Sequence, residues 1–249
     1  MKLSEDIYLV ADGMIGLSNP HDCHVYIVDC GTEKIMIDVG GGIEPEEIVT
    51  NIKNDNIDLN TITKIILTHA HADHAAGAKF FKEKFNAEVW INEVESKLLE
   101  NGTDEELGLD MVRGSVYADD YQYIHCKVDK TITDQEETKI GKYNIKFIQV
   151  PGHSPGITCL LVVNNNRRIM FSADVVFATG NIALGNWNGS NLKDYRENID
   201  KLKNMNVDEL YPGHFLWLLK NGQTALNTAI NNLKKPWPPP NFGHNYPHF

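Results

Sequence analysis

The sequence predicts a mixed α/β (α+β) protein in which helices cover β-sheets, built as one large domain or as two closely merged halves. Short β-branched apolar runs occur in series, and helical patterns separate them. Hydrophobic residues make up 42% of the 249 residues, which is enough for a substantial core. We expect the domain to span residues 1–235 and to be followed by a Pro- and aromatic-rich tail over residues 236–249.

The first half contains five predicted strands, at residues 7–10, 25–28, 34–38, 64–68 and 88–91. The Gly-rich turn after Asp38 ends the third strand, and Pro45 is suitably placed in the first turn of a helix. The helices are predicted at residues 45–54, 74–85 and 93–99. The polar, weakly periodic stretch 102–120 is interpreted as a loop or an insertion.

The second half opens again with strands and ends with helices. Its strands are predicted at residues 139–140, 144–150, 157–163, 168–172 and 209–211, and its helices at residues 192–204 and 223–233. The two halves share this order loosely, without a true sequence repeat.

Composition argues against several classes of partner. The formal net charge is -11 and the basic residues are scattered, so nucleic acid is not an expected partner. No window approaches the run of about twenty apolar residues that a membrane span requires. The first residues lack the pattern of a secretory signal, and the four cysteines are far apart, so we expect a cytoplasmic protein with reduced thiols. The sequence does not indicate an oligomeric state.

A dense cluster of possible metal ligands follows the strand at residues 64–68. It contains His69, His71, Asp73 and His74. In an extended turn, residues two apart face the same side, so the first three can converge, and His74 opens the next helix. Imidazole and carboxylate groups are ligands of zinc, iron and manganese, and four of them within six residues can serve two adjacent cations.

Three later residues extend this prediction. His153, Asp174 and His214 each follow a predicted strand, beside a turn-forming Gly or Ala. Loops at strand ends bring side chains together, although each residue taken alone would be an ordinary loop residue. Together with the cluster at 69–74, they predict a metal site.

These motifs resemble those of the metallo-β-lactamase fold superfamily, which includes glyoxalase II-type thioesterases and lactonases. The matching segments are the Asp38-Val39-Gly40 turn, HAHADH at 69–74, PGHSPG at 151–156, Ser172-Ala173-Asp174 and PGH at 212–214. The resemblance covers almost the whole chain. It implies a four-layered αββα sandwich of two mixed β-sheets flanked by helices, with metals at one edge of the sheets.

The resemblance also implies a ligand set. His69, His71 and His153 would bind one metal ion, Asp73, His74 and His214 would bind a second, and Asp174 would bridge both. The cofactors would be two divalent ions, with zinc expected first and iron or manganese as alternatives. Zinc-dependent β-lactamases carry Cys at the bridging position, so Asp174 favours the thioesterase and lactonase relatives.

The expected function is therefore hydrolysis of an ester, thioester or lactone bond in a small molecule, by a hydroxide bridged between the two metal ions. Asp73 is the candidate catalytic residue, which would orient the nucleophile or carry a proton to the leaving group. Three aromatic residues near the later ligands are candidates for an apolar substrate wall, with packing as the alternative role: Phe177, Trp187 and Trp217.

The sequence leaves other activities open. An iron-dependent oxidoreductase of the same fold, either persulfide dioxygenase-like or di-iron, is the main alternative, and a β-lactamase, a nuclease or a non-catalytic binding module are further ones. Two other residues are expected to have structural roles. His24 is interpreted as a surface or strand-end residue, with lining of the site as the alternative, and Tyr195 as a packing residue of a helix.

Overall fold

The computed structural model describes residues 1–165 and 167–242, and the chain forms two compact units. Unit 1 comprises Met1–Ile132 and Ile140–Lys142, and unit 2 comprises Thr133–Lys139 and the chain from Tyr143 onward. Each unit has its own β-sheet and its own cluster of buried apolar side chains. Among the described residues, no helix combines the length and the apolar character that crossing a membrane would need.

Unit 1 contains a seven-stranded sheet whose strands follow one another in chain order. They are β1 (Lys2–Ser4), β2 (Ile7–Ala11), β3 (Val25–Asp29), β4 (Lys34–Ile37), β5 (Ile62–Ile66), β6 (Glu88–Asn92) and β7 (Lys130–Ile132). Strands β1 to β4 pair antiparallel, whereas β4 to β7 pair parallel. The parallel register sets Ile37 opposite Ile66, so the residues that follow β4 and β5 leave the sheet side by side.

Four helices accompany this sheet: α1 (Pro45–Asn54), α2 (Ala72–Ala75), α3 (Ala78–Phe85) and α4 (Glu93–Asn101). Helix α1 starts with Pro45 and buries Ile48, Val49 and Ile52, as its spacing predicts. The predicted continuous helix over residues 74–85 is wrong. Gly77 lies between α2 and α3, where its N–H donates to the Gly40 carbonyl (3.2 Å) and the carbonyl of Asp73, its expected helical partner, accepts from the Cys23 N–H (3.2 Å).

Unit 2 contains a five-stranded sheet in the order β12-β11-β10-β9-β8. The strands are β8 (Glu137–Ile140), β9 (Tyr143–Gln149), β10 (Thr158–Asn164), β11 (Arg167–Ala173) and β12 (Glu209–Pro212), and the helices are α5 (Leu192–Asn198) and α6 (Gly222–Leu233). The predicted helix at 192–204 ends earlier, because a 3₁₀ turn at Ile199–Leu202 follows α5. Strands β9, β10 and β11 pair antiparallel, and β11 and β12 pair parallel.

The start of the predicted tail is attached to unit 2 by hydrogen bonds. The Phe242 N–H donates to the Ile182 carbonyl (2.9 Å), and the Ile182 N–H donates to the Pro240 carbonyl (3.3 Å). The Asn241 side chain accepts from the Leu184 N–H (2.9 Å) and donates to the Leu184 carbonyl (2.5 Å). The last residues of the predicted tail, 243–249, lie outside the described residues.

Candidate metal centre

Unit 1 brings together all four ligands predicted from its motif. The Nε2 atom of His69 lies 3.1 Å from Nδ1 of His71, and Nε2 of His74 lies 3.4 Å from Oδ2 of Asp73. The rings of His69 and His74 are 4.2 Å apart between centroids. His69 and His74 are fully buried, whereas His71 and Asp73 are half-buried. The motif therefore forms a compact group of nitrogen and oxygen donors.

The spacing of these donors suits a small divalent cation. Two ligand atoms on one tetrahedral zinc ion, each at 2.0–2.1 Å, are about 3.3 Å apart. The separations of 3.1 Å and 3.4 Å in unit 1 lie close to that value. Imidazole nitrogens and carboxylate oxygens are also the donor types that zinc and iron accept. The residues present therefore fit a metal ion.

Asp38, directly after β4, fixes the tautomer of two of these histidines through hydrogen bonds. Its Oδ2 accepts from Nδ1 of His74 (2.8 Å) and from the Thr68 hydroxyl (2.9 Å), and its Oδ1 accepts from the Thr68 N–H (2.8 Å). Since the Thr68 hydroxyl donates to Asp38, its oxygen accepts from Nδ1 of His69 (3.0 Å). Both histidines then carry the proton on Nδ1 and present an unprotonated Nε2, the form that binds a metal.

Two more buried side chains hold the backbone of the motif. The carboxylate of Glu95 accepts from the Ala70 N–H (3.0 Å), and the Tyr123 hydroxyl donates to the Ala70 carbonyl (3.0 Å). Burial raises the pKa of Tyr123 well above its usual value, so the hydroxyl stays a donor. The N–H and the carbonyl of Ala70 are thus both held by buried side chains, which fixes the turn between His69 and His71.

Unit 2 brings together the three ligands predicted in the second half of the chain. Oδ2 of Asp174 lies 3.6 Å from Nε2 of His153 and 3.5 Å from Nε2 of His214. These separations are again close to those of two donors on one ion. Ala173, at the end of β11, has a φ of 47°, and the pairing of β11 with β12 shifts register there. This irregularity turns the backbone at the position of Asp174.

Tyr195 of α5 lies behind two of these ligands. Its hydroxyl contacts the carbonyl oxygens of Asp174 (3.0 Å) and Ala183 (3.1 Å). The Ala183 carbonyl also lies 3.0 Å from Nδ1 of His153, which leaves Nε2 of that histidine directed at Asp174. Burial, together with the charge of Asp174, raises the pKa of Tyr195 well above its usual value.

Unit 2 places two of the three predicted aromatic residues beside a ligand or its neighbours. The Trp187 indole N–H donates to the His153 carbonyl (2.8 Å), and the two rings are 5.2 Å apart. Phe177 contacts Phe215 and Phe242 at ring distances of 5.4 and 5.5 Å. Trp217 is half-buried in the loop before α6. The roles of these aromatic residues toward a substrate stay predictions.

Comparison with known proteins identifies the family. The sequence profile of the metallo-β-lactamase superfamily matches residues 18–214, which include all seven candidate ligands. The chain belongs to this superfamily. Its members are mostly hydrolytic metalloenzymes, and metal binding is their shared property.

Two curated superfamily relatives are hydrolases by name. Hydroxyacylglutathione hydrolase GloC of Haemophilus influenzae is 27% identical over 146 residues, which cover 58% of this chain and 62% of that protein, less than two thirds of its length. A probable polyketide biosynthesis zinc-dependent hydrolase, BaeB of Bacillus velezensis, is 24% identical over 212 residues, which cover 84% of this chain and 80% of that protein.

A solved superfamily structure gives the same result for the fold. A metallo-β-lactamase family protein from Thermus thermophilus superimposes with a TM-score of 0.70 at 18% identity, over 92% of this chain and 80% of that one. At this identity the likeness shows the fold alone. It confirms the predicted fold class, the αββα fold with two mixed sheets and flanking helices.

The interpretation of His24 as a surface residue is wrong, although it does lie at a strand end, directly before β3. His24 is 1% exposed, its Nε2 lies 2.9 Å from Oδ2 of Asp12, and its Nδ1 lies 2.8 Å from the Tyr26 hydroxyl. Burial alone would raise the pKa of Asp12, but the hydrogen bond and the charge of His24 outweigh it and lower that pKa. The expectation for Tyr195 is confirmed, since it is fully buried.

Proposed function

We propose that the chain is a hydrolase with a dinuclear metal centre that cleaves an ester, thioester or lactone bond of a small molecule. The observation that carries this proposal is that each unit holds a group of possible metal ligands, four residues in unit 1 and three in unit 2. Neighbouring donor atoms within each group are 3.1 to 3.6 Å apart. Superfamily membership supports joining them into one site, because its match spans all seven residues. Zinc is the proposed metal, in line with the zinc-dependent relative.

Each of the seven residues has a proposed task. His69, His71 and His153 would hold one ion, Asp73, His74 and His214 would hold the other, and Asp174 would be a ligand of both. When bound, two divalent ions would activate a water molecule for attack at neutral pH and polarise the carbonyl oxygen of the substrate. The carboxylate of Asp174 would offset part of the repulsion between the two positive charges.

Asp73 is the proposed proton carrier. Its side chain is 28% exposed, whereas that of His74, 3.4 Å away, is fully buried. A carboxylate that keeps one accessible oxygen can orient the attacking nucleophile and then pass a proton to the leaving group. The backbone carbonyl of Asp73 accepts from the Cys23 N–H (3.2 Å), which fixes the start of α2 and leaves the side chain to act.

The test combines metal analysis with hydrolysis assays. We expect about two zinc ions per natively purified chain and turnover in a panel of thioesters, lactones, simple esters and β-lactams. Removal of metal by a chelator should abolish turnover, and zinc should restore it. Bound zinc at a thousandfold excess over its Kd should also stabilise the folded state by about 4 kcal/mol.

Two ligand variants and one matched control sharpen this test. His71→Ala and Asp174→Ala should lose nearly all activity and part of the bound metal while retaining the circular dichroism spectrum of the wild type. His125→Ala changes an exposed histidine that contacts the Leu99 carbonyl and should leave both properties unchanged. Full turnover and full metal content in His71→Ala would contradict the proposal.

The same metal analysis separates the hydrolase from the iron-dependent alternative. One iron per chain, together with oxygen uptake in the presence of a persulfide, would replace the hydrolase by a dioxygenase. Two irons with redox activity but without hydrolysis would indicate the di-iron oxidoreductase. Two zinc ions with hydrolysis and no oxygen uptake would support the proposed function.

A further inference from the structure

The loops that carry the unit 2 ligands lack charged side chains. Apart from the histidine ligand itself, residues 175–192 and 210–219 contain no Asp, Glu, Lys, Arg or His, and residues 236–242 contain none either. The chain as a whole carries a net charge of -11. A substrate group that carries a carboxylate would find no cation on these segments to pair with. They favour an uncharged group instead.

These segments meet in a cluster of three phenylalanine rings beside His214. Phe215 and Phe242 are 4.4 Å apart between ring centroids, and Phe177 is 5.4 Å from Phe215 and 5.5 Å from Phe242. The ring of His214 lies 6.3 Å from Phe215 and 6.4 Å from Phe242. We call Phe177, Phe215 and Phe242 the aromatic cluster. It lies within ring-contact distance of a proposed metal ligand.

One residue of the cluster has a strained backbone conformation. Phe215 has a φ of 68°, a left-handed conformation that is a genuine outlier for a bulky side chain. Such a conformation costs about 1–3 kcal/mol and concentrates at functional sites. The next residue, Leu216, is 71% exposed, so apolar surface continues outward from the cluster. The loop after His214 therefore places two apolar side chains, Phe215 and Leu216, next to a proposed ligand.

The C-terminal segment completes the cluster. Phe242 is held by the bond from its N–H to Ile182, and Asn241 is held by two bonds to Leu184. The backbone from Ile182 to Leu184 includes Ala183, whose carbonyl lies 3.0 Å from Nδ1 of His153. The segment that positions Phe242 is thus attached to the same loop that orients a proposed ligand.

We propose that Phe215, Phe242 and Leu216, which are backed by the buried ring of Phe177, bind the acyl group of the substrate, and that this group is an uncharged apolar chain. This inference rests on the proposed function, since it names the part of the substrate that lies beside His214. Each methylene that enters apolar surroundings should raise kcat/KM about four-fold, and binding in the ground state should follow the same trend. Phe242 would then be a specificity-determining residue supplied by the C-terminal segment.

The test is a chain-length series on the zinc-loaded enzyme. The substrates are the acetyl, butanoyl and hexanoyl thioesters of N-acetylcysteamine, and the measured quantity is kcat/KM. The wild type should gain about fifteen-fold from butanoyl to hexanoyl. Phe242→Ala should flatten this gain and leave the acetyl thioester nearly unchanged, whereas Phe242→Leu should restore most of it. Trp237→Ala, which removes a 59% exposed aromatic side chain from the same segment, is the matched control and should keep the wild-type slope.

A second readout needs no turnover. Butanamide and hexanamide are titrated calorimetrically into wild type, Phe242→Ala and Phe215→Asn, since Asn tolerates the left-handed backbone at position 215. Hexanamide should bind about fifteen-fold more tightly to the wild type, and both variants should lose that difference. A flat wild-type slope in turnover or in binding overturns the inference, as does a loss that is equal for acetyl and hexanoyl substrates. If no thioester is hydrolysed but the binding difference and its loss in the variants persist, the proposed function fails and the acyl-binding role of the cluster stands.

Discussion

Replacement of Asp38 by Asn should impair metal binding without removing a metal ligand. Thr68 donates its backbone N–H to Oδ1 of Asp38, and this proton cannot be moved. The amide introduced at position 38 must therefore place its oxygen there and its NH₂ at the position of Oδ2. That NH₂ would face Nδ1 of His74, now 2.8 Å from a carboxylate oxygen, and would donate to it. His74 would then carry its proton on Nε2, where the metal should bind.

The expected loss of metal affinity can be estimated from the hydrogen bonds that Asp38 makes. Loss of one outer-shell partner of a ligating histidine lowers metal affinity 10- to 100-fold, which is about 1.4–2.7 kcal/mol. Asp38 acts on His74 directly and on His69 through the Thr68 hydroxyl, so we expect about 100-fold. The metal-free protein should lose only about 1–3 kcal/mol, since the side chain keeps its volume and one acceptor.

The assay is competition for zinc between the protein and a chromophoric chelator, with urea unfolding of the metal-free protein as the second measurement. Asp110→Asn, the same change at an exposed residue, is the control and should match the wild type in both. Wild-type zinc affinity in Asp38→Asn would refute the argument that this carboxylate sets the histidine tautomers. A large loss of stability in the metal-free variant, without a change in affinity, would refute it too.

Two other changes test packing and charge. Gly152→Ala should destabilise the fold by about 3 kcal/mol, because the new Cβ would lie 2.3 Å from the buried ring of Tyr195. Thermal or urea unfolding measures this loss, and an unchanged unfolding midpoint would contradict the prediction. Asp12→Asn should weaken the folded state by about 2 kcal/mol at pH 7. His24 lowers the pKa of Asp12, so the ionised carboxylate of Asp12 stabilises the folded state. This stabilisation is fully present above the unfolded-state pKa of about 3.9, and it is lost as the pH falls through the lower folded-state pKa. The unfolding free energies of wild type and variant should therefore converge in acid, and a constant difference down to about pH 2 would contradict the assignment.

The sequence predicts the proposed metal ligands better than it predicts the side chains that hold those ligands in place. The donor types of the 69–74 motif, and the positions of His153, Asp174 and His214 after strands, are visible in the order of residues alone. The fold class follows from the same motifs through the resemblance. Both signals depend on local spacing, which a single sequence displays.

The side chains that hold the proposed ligands in place are brought together by contacts between segments that are distant along the chain. Asp38 and Thr68 meet because β4 and β5 run parallel with Ile37 opposite Ile66, and a sequence does not state the pairing of its strands. Asp12 and His24 likewise meet because Ala11 of β2 lies opposite Val25 of β3.

Local patterns also mislead where packing decides. The Ala-rich stretch around Gly77 has the composition of one continuous helix, yet the hydrogen bonds from Gly77 to Gly40 and from Cys23 to Asp73 interrupt it. Strands β1 and β7 have three residues each, too few to show alternation, and they form because a neighbouring strand offers hydrogen bonds. Phe242 could not be assigned to the surroundings of His214 without the bonds that attach residues 240–242 to the 182–184 loop.

Tyr195 links the positions of two proposed metal ligands, Asp174 and His153. One phenol contacts the carbonyl beneath Asp174 and the carbonyl that orients His153, so a shift of α5 displaces both residues in concert. Substitutions in this helix should therefore change the two residues as a unit, with effects that do not add. Evolution of a new metal preference could then proceed through a helix that carries none of the ligands itself.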